Sequence, residues 1–310
     1  MLRRTLLFLS NQPRLSSFVS RNRLARHFAS RFVAGETVAE ALIAVQELNR
    51  RGMHASLDLL GESVHNESEA RAAGRAYIDL LDRIRERSID SNVSVKLTAL
   101  GLDISEELCV SVMQDVLERA RAYGQFVRID MESSAYTERT LRLFEDRFFP
   151  SYAKHVGVVL QSYLYRTQGD VERAASQGVR VRLCKGAYNE PATVAYPDKR
   201  DVDANYVRCM ELLLRDGVYP GIATHDETII AAAQRFVREH GIDRDRFEFQ
   251  MLYGVRRDLQ ERLVREGYNL RIYVPFGTQW YPYFMRRLAE RPANVAFVAG
   301  SVMREMARRR

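Results

Sequence analysis

The strongest constraint on the fold is a short apolar stretch that recurs eight times along the 310-residue chain, each time followed by a stretch of helical period. The short stretches are rich in Val, Ile, Leu and Phe, as β-strands are when they are buried on both faces of a parallel sheet. They span Ala55–Leu60, Ser94–Leu97, Phe126–Met131, Val156–Leu160, Val179–Leu183, Gly221–Thr224, Phe247–Met251 and Leu270–Val274. Strands and helices alternating in this way predict an α/β fold, a (β/α)₈ barrel of the TIM type.

The first part of the chain does not follow this alternation. A helix is predicted over Thr37–Asn49, where Val, Ala and Leu recur at helical spacing, and a basic segment precedes it. A chain of 310 residues also accommodates two smaller domains, but no linker interrupts the strand–helix units. We therefore expect a basic helical arm over residues 1–50 and a barrel over residues 51–310.

The segment that precedes Glu36 accounts for the whole net positive charge of the protein. The net charge is +7 and the pI about 9.4, yet no Asp or Glu precedes Glu36 and seven arginines do. From Glu36 onward 40 basic residues balance 40 acidic ones, and a neutral body argues against nucleic acid as a partner. An Arg- and Ser-rich segment without acids is typical of a transit peptide, and equally of amphipathic helices on an anionic membrane surface.

Cysteine usage indicates a reducing compartment. Three cysteines, Cys109, Cys184 and Cys209, lie far apart, and such a set forms neither a disulfide framework nor a zinc cluster. We expect Cys184, at the end of the fifth predicted strand, to be inert packing.

Polar residues follow or end the predicted strands, at the edge where barrels of this type build their active sites. They are Asp58, Glu62, Lys96, Asp130, Glu132, Gln161, Arg182, Lys185, Thr224, His225, Gln250 and Tyr273. Four of them are basic, so the set predicts a site for an anionic ligand. No catalytic metal is expected, because only one of these residues is a histidine.

Glycine-rich phosphate motifs are absent from the sequence. It contains neither G-x-G-x-x-G nor a Walker sequence, which excludes a Rossmann fold and a P-loop. The stretch Lys185-Gly186-Ala187-Tyr188 still allows backbone N–H groups to approach a pyrophosphate, because Gly186 has no side chain in the way.

The last strand and helix form a distinctive unit. The strand Leu270–Val274 is expected to end at Pro275, and the helix to begin near Pro282. The residues that share one face of this helix are Tyr283, Arg286, Arg287 and Glu290. Two guanidiniums beside a phenol suit a carboxylate; alternatively the face is solvated and Arg286 pairs with Glu290.

These segments together resemble the proline dehydrogenase family, most closely its monofunctional bacterial members. The matching stretches are S-V-K-L-T-A-L (94–100), R-I-D-M-E (128–132), V-V-L-Q-S-Y-L (158–164), R-L-C-K-G-A-Y (182–188), A-T-H-D (223–226), F-E-F-Q-M-L-Y-G (247–254), R-I-Y-V-P-F-G (271–277), Y-F-M-R-R-L-A-E (283–290) and the insert A-Y-P-D-K-R-D-V-D-A-N-Y (195–206). The resemblance implies a distorted barrel with N-terminal helices and a final helix over its mouth. It also implies noncovalent FAD and oxidation of L-proline to Δ1-pyrroline-5-carboxylate, with electrons passed to a membrane quinone.

The resemblance also implies roles for individual residues. Positions that match the substrate site are Lys96, Leu252, Tyr273, Tyr283, Arg286 and Arg287. Positions that match the FAD site are Gln161, Arg182, Lys185, Gly186, Ala187, Thr224, His225 and Glu290. Arg182 matches a cation near flavin N5, and Tyr188 a residue beside the flavin. Asp130 matches a site carboxylate, which we expect to orient Lys96 or an arginine. Glu62 matches a glutamate that pairs with Arg286 as a gate.

One position departs from the family pattern. Asn189 stands where the bifunctional members have tryptophan, so contacts with the adenine do not carry over. The resemblance favours the bacterial cytoplasm, peripheral to the inner membrane, over a mitochondrion, and pyrroline-5-carboxylate dehydrogenase as the next enzyme. Two alternatives stay open: a non-enzymatic barrel whose arm binds nucleic acid, and a flavin-free lyase with Lys96 or Lys185 as a Schiff base.

Overall fold

The computed structural model describes residues 29–61 and 64–290 and confirms the predicted barrel. Parallel strands pair in chain order and close, β1 against β8. The strands are β1 His54–Leu59, β2 Ser91–Val95, β3 Val127–Ile129, β4 Val156–Gln161, β5 Val181–Cys184, β6 Gly221–Ala223, β7 Glu248–Leu252 and β8 Leu270–Phe276. The helices are α1 Val38–Arg50, α2 Glu67–Glu86, α3 Glu106–Tyr123, α4 Ser134–Leu143, α5 Phe149–Tyr152, α6 Thr167–Ser176, α7 Lys199–Asp216, α8 Glu227–Glu239, α9 Arg257–Arg265 and α10 Trp280–Glu290.

Local sequence sets the helix ends. α3 begins after Ser105, whose side chain accepts a hydrogen bond from Leu108 N, and ends at Gly124 with a φ of 67°. α1 begins with a reciprocal capping box between Thr37 and Glu40. Both starts lie where the sequence predicts them, because these side chains satisfy N–H groups that a helix start leaves unbonded.

Strand β8 is longer than predicted, because Pro275 does not end it. The strand continues to Phe276, and Pro275 lies opposite Asp58 on β1. On its other side β7 has already ended, and the Pro275 carbonyl accepts a hydrogen bond from Ala34 N at 2.8 Å. The missing N–H of the proline therefore costs no hydrogen bond of the ladder.

Strand β2 lies earlier than predicted. It covers Ser91–Val95 rather than Ser94–Leu97, because Lys96 already leaves the sheet and a 3₁₀ turn begins at Thr98. Glu132, which follows β3, accepts from the hydroxyl of Thr98 at 2.6 Å and from its N–H at 3.3 Å. A side chain from the next strand thus satisfies the start of this turn.

The barrel wall separates an apolar layer from a polar interior. Outward side chains such as Leu57, Val93 and Ile129 belong to one continuous core shared with the helices. Inward side chains of such barrels are mostly branched and apolar. Here many are polar and buried: Ser56, Asp58, Ser94, Lys96, Arg128, Asp130, Arg182, Glu248, Gln250 and Arg271.

Helix α10 begins just beyond the carboxyl end of β8 and packs against residues 29–36. The ring of Phe284 lies 6.3 Å from that of Phe32, and Trp280 Nε1 donates to Glu36 Oε1 at 3.1 Å. The final helix is therefore held at the carboxyl-terminal face of the barrel. Within the described ranges, no helix combines the length and the apolar character needed to cross a membrane.

Candidate active site

Arg182, on β5, is the centre of a hydrogen-bonded cluster inside the barrel. Its Nη1 lies 2.6 Å from Asp130 Oδ1, and its Nε donates to Gln250 Oε1 at 2.5 Å. Its Nη2 donates to the hydroxyl oxygens of Ser94 at 3.2 Å and Ser56 at 3.4 Å. Side chains from four other strands therefore hold one guanidinium, and a planar fork bonded on several sides has a fixed orientation.

Tyr273 extends this cluster to β8. Its hydroxyl donates to Asp130 Oδ2 at 2.7 Å, and its ring centroid lies 5.2 Å from the Arg182 guanidinium carbon. Burial, together with the negative charges of Asp130 and Asp58, raises the pKa of Tyr273 well above its ordinary value. The phenol is therefore a permanent hydrogen-bond donor at neutral pH.

Lys96, just after β2, forms a second buried ion pair. Its Nζ lies 3.0 Å from Asp58 Oδ1, and the two side chains are only 10% and 1% exposed. The partners are therefore divided: Asp130 binds Arg182, whereas Asp58 binds Lys96. Removing one member of such a pair leaves a buried charge without compensation, which is costly.

Helix α10 brings Tyr283 and Arg287 together. Tyr283 is buried, and the Arg287 guanidinium carbon lies 5.2 Å from its ring centroid, which is a cation–π distance. The helix backbone places Arg286 next to Arg287. The side chains of Arg286 and Glu290, and the predicted gate Glu62, lie outside the described residues.

A further polar group lies after β5 and β6. Lys185 Nζ is 2.9 Å from Asp226 Oδ2 and 2.5 Å from Asp203 Oδ1. Desolvation opposes ionisation of Asp226, but the hydrogen bond and charge of Lys185, the backbone N–H of Thr228 and the charge of Lys199 together outweigh it, and the pKa of Asp226 is lowered. Gly186 has a φ of 113°, and a Cβ there would lie 2.5 Å from the ring of Tyr163. Only glycine suits this turn.

Gln161, at the end of β4, has an unused acceptor. Its Nε2 lies 3.4 Å from the Met131 carbonyl oxygen, whereas its Oε1 is buried without a hydrogen-bond partner among the described residues. A buried polar atom without a partner is uncommon and calls for an explanation, such as a donor on a ligand.

The other predicted residues line the same edge of the barrel. His225 Nε2 accepts a hydrogen bond from Leu252 N at 2.9 Å. In a neutral imidazole the ring N–H is then on Nδ1. Thr224 is buried, and its hydroxyl accepts from Asp226 N at 3.1 Å. Ala187 and Tyr188 are half-buried in the loop after β5.

Glu248, Gln250 and Arg271 received no individual role from the sequence pattern, although all three are buried inside the barrel. Their spacing along the strands would have identified them as residues that face the barrel interior. Glu248 and Gln250 stand two residues apart, as do Arg271 and Tyr273, so each pair faces one side of the sheet. The expectation of strands apolar on both faces concealed this alternation.

Comparisons with known proteins agree with this architecture. The proline dehydrogenase family model matches residues 41–300. Proline dehydrogenase 1 of Bacillus subtilis (strain 168) is 43% identical over 305 residues, covering 98% of this chain and 100% of that protein. The proline dehydrogenase of Deinococcus radiodurans is 43% identical over 307 residues, covering 97% of this chain and 98% of that protein.

A solved structure agrees as well. Proline utilization A (PutA) from Bdellovibrio bacteriovorus, inactivated by N-propargylglycine, has a TM-score of 0.79 and 29% identity over 85% of this chain and 32% of that larger chain. This chain thus corresponds to about a third of that protein. The chain therefore belongs to the proline dehydrogenase family of oxidoreductases, and its substrate is proline.

Proposed function

We propose that this protein oxidises L-proline to Δ1-pyrroline-5-carboxylate with noncovalently bound FAD, and that the electrons then pass to a membrane quinone. The cluster around Arg182 is the observation that carries the proposal. A fixed guanidinium suits a site at which negative charge develops on an electron acceptor. FAD, when bound, would supply that acceptor for the hydride equivalent that proline loses from C5.

The chemistry of the residues present suits a flavin nucleotide. Arg182 and Lys185 supply cations, and the backbone N–H of Gly186 is assigned to the pyrophosphate. The buried Oε1 of Gln161 has no partner among the described residues, and the imide N–H of a flavin ring is a donor of the kind it needs. The residues assigned to FAD are Gln161, Arg182, Lys185, Gly186, Ala187, Thr224, His225 and Glu290.

The carboxylate of proline is assigned to helix α10. Arg286 and Arg287 are neighbours on this helix, and two guanidiniums offer several donors to one carboxylate. Lys96 adds a third cation, held in place by its ion pair with Asp58. Glu62 is assigned as a gate that pairs with Arg286, opening for substrate and closing over it. The side chains assigned to enclose the ring and exclude water are Leu252, Tyr188, Tyr273 and Tyr283.

The visible spectrum of purified full-length protein tests the cofactor and the reaction together. We expect flavin absorption that persists through gel filtration, is released on acid denaturation, and is bleached by L-proline under anaerobic conditions. D-Proline is the matched control: it has the same groups with the carboxylate on the other face of the ring, and it should bleach the flavin far more slowly. Folded protein that stays colourless after incubation with FAD would overturn the cofactor assignment.

The acceptor and the membrane are tested separately. A quinone analogue should restore the oxidised spectrum of proline-bleached protein. We place the protein in the bacterial cytoplasm at the inner membrane, with pyrroline-5-carboxylate dehydrogenase as the next enzyme. The predicted membrane contact lies in the basic arm, of which residues 1–28 are outside the described part. Full-length protein should sediment with anionic liposomes and a truncation starting at Glu36 should not; equal sedimentation would contradict this location.

A further inference from the structure

A third buried ion pair lies deeper in the barrel, toward the amino ends of the strands. Arg271 Nε is 2.8 Å and 3.0 Å from the two carboxylate oxygens of Glu248, and Arg271 Nη1 donates to the Ala55 carbonyl oxygen at 2.7 Å. Both side chains are buried. Buried charges are expensive to desolvate, and an apolar pair of the same volume often serves stability as well or better. Stability alone therefore does not explain this pair.

Gln250 connects the pair to Arg182. Its Nε2 donates to Glu248 Oε1 at 2.6 Å, and its Oε1 accepts from Arg182 Nε at 2.5 Å. A side-chain amide has one donor end and one acceptor end, whereas an ionised carboxylate only accepts. Glu248 therefore dictates which way the amide faces, so that an acceptor and not a donor meets the arginine.

The surroundings hold this arrangement in place. Gly221, on β6, lies opposite Glu248 in register, and a Cβ on Gly221 would overlap the Gln250 side-chain amide. Room for the amide exists because β6 has glycine at this position. Burial disfavours the charge on Glu248, but the charges of Arg271 and Arg128 and the hydrogen bonds from Arg271 and Gln250 together outweigh it, and the pKa of Glu248 is lowered.

We propose that Glu248 is a positioning residue for proline oxidation, which acts through Gln250 to fix the Arg182 guanidinium, with Arg271 as its counter-ion. The inference rests on the proposed assignment of Arg182 to the cofactor. A guanidinium that is free to turn stabilises less of the negative charge gained on reduction. The turnover number and the midpoint potential of the cofactor should therefore fall, whereas KM for proline, which depends on α10 and Lys96, should not change.

Gln250→Met, Glu248→Gln and the double variant test this relay. Gln250→Met removes both relay bonds and leaves the Glu248–Arg271 pair intact, so it is informative even if Glu248→Gln proves unstable. We expect each single variant to lower kcat roughly tenfold. Loss of a group that hydrogen-bonds to a metal ligand has an effect of this size in metalloenzymes. The midpoint potential should fall by about 30 mV, which is a tenfold factor for a two-electron couple. The double variant should have the potential of Gln250→Met.

Asp170→Asn is the matched control. Asp170 is also a buried carboxylate with two arginine partners, Arg166 at 2.7 Å and Arg173 at 2.8 Å, but it lies on the outer helix α6. This variant should lose stability and keep the wild-type potential. The relay is refuted if Glu248→Gln shifts the potential of the Gln250→Met protein as much as that of the wild type, or if neither single variant shifts it. Failure of the proposed function gives a different result from failure of the relay, because the wild-type protein would then bind no flavin.

Discussion

Two arginine–carboxylate pairs in this protein share one chemistry and differ in their surroundings. Arg182 and Asp130 meet at 2.6 Å inside the barrel, with side chains 7% and 11% exposed. Arg83 and Asp79 meet at 2.8 Å one turn apart on α2, with side chains 47% and 52% exposed. The first pair joins different strands and is bonded to further side chains, whereas the second is local and solvated. Contact distance therefore says little about importance; burial and connection to other groups decide it.

Asp130→Ala should show the largest effect. It removes the counter-ion of Arg182 and the acceptor of Tyr273 in one step, leaving a buried charge unpaired. We expect a loss of about 3–5 kcal/mol in the free energy of unfolding and a roughly 10²- to 10³-fold fall in kcat. Urea unfolding and steady-state kinetics measure the two. Asp130→Asn, which keeps the shape, should lose less; wild-type stability and kcat in Asp130→Ala would erase the distinction between the two pairs.

Arg287→Ala tests an arginine that is assigned to substrate binding, in contrast to Arg182, which holds side chains of the barrel together. Loss of a hydrogen bond to a charged group costs about 1.5–3 kcal/mol, so KM for L-proline should rise roughly 10- to 150-fold. Stability should change little, because α10 lies at the face of the barrel. Tyr188→Phe is the control and should raise KM far less. Equal, small effects in both variants would remove the carboxylate role of α10.

Tyr273→Phe tests burial through pH. The folded-state pKa of Tyr273 is raised above its ordinary value of 10.0, so its contribution to stability is complete below pH 10 and declines at higher pH, where the unfolded chain ionises first. The wild type should lose about 1.4 kcal/mol per pH unit from this group in that range. Tyr273→Phe should lack that part of the decline. Urea unfolding on both sides of pH 10 measures the slope. Tyr165→Phe, at an exposed position, should keep the wild-type slope; parallel curves for all three proteins would contradict the assignment.

Arg83→Ala should show the smallest effect. The attraction within a solvated pair on one helix is screened by water and salt, and holding both side chains in one geometry costs conformational entropy. We expect kcat, KM and the denaturation midpoint to equal those of the wild type within error. A clear loss of stability would mean that the α2 surface is coupled to the core, and that burial does not distinguish this pair from Arg182 and Asp130.

The architecture was predictable because it depends on local periods. Apolar stretches of strand length alternate with helical ones, and Ser105 and Thr37 mark helix starts by their own side chains. The strand ends were less predictable where distant residues decide them. Glu132, from the neighbouring strand, bonds the turn that follows β2, and β8 runs through Pro275 because its other neighbour has already stopped.

The members of the polar cluster were predictable as a group, but their partners were not. Parallel strands bring their carboxyl ends together, so Lys96, Asp130 and Arg182 had to be near one another. Which carboxylate binds which cation depends on register and side-chain reach, and neither is visible in one sequence. Asp58 with Lys96 is a pairing of this kind. The Glu248–Arg271 pair was missed because charged residues are expected to be rare in a barrel interior.

The pairing of β1 with β8 has a consequence for biosynthesis. Ala55 lies beside Ile272 in this ladder, so the first strand keeps an open edge while nearly all of the barrel sequence is translated. An unpaired strand edge is a template for association with other chains. Nascent copies should therefore need shielding until the last strand leaves the ribosome, and prematurely terminated polypeptides should aggregate and not accumulate as partly active enzyme.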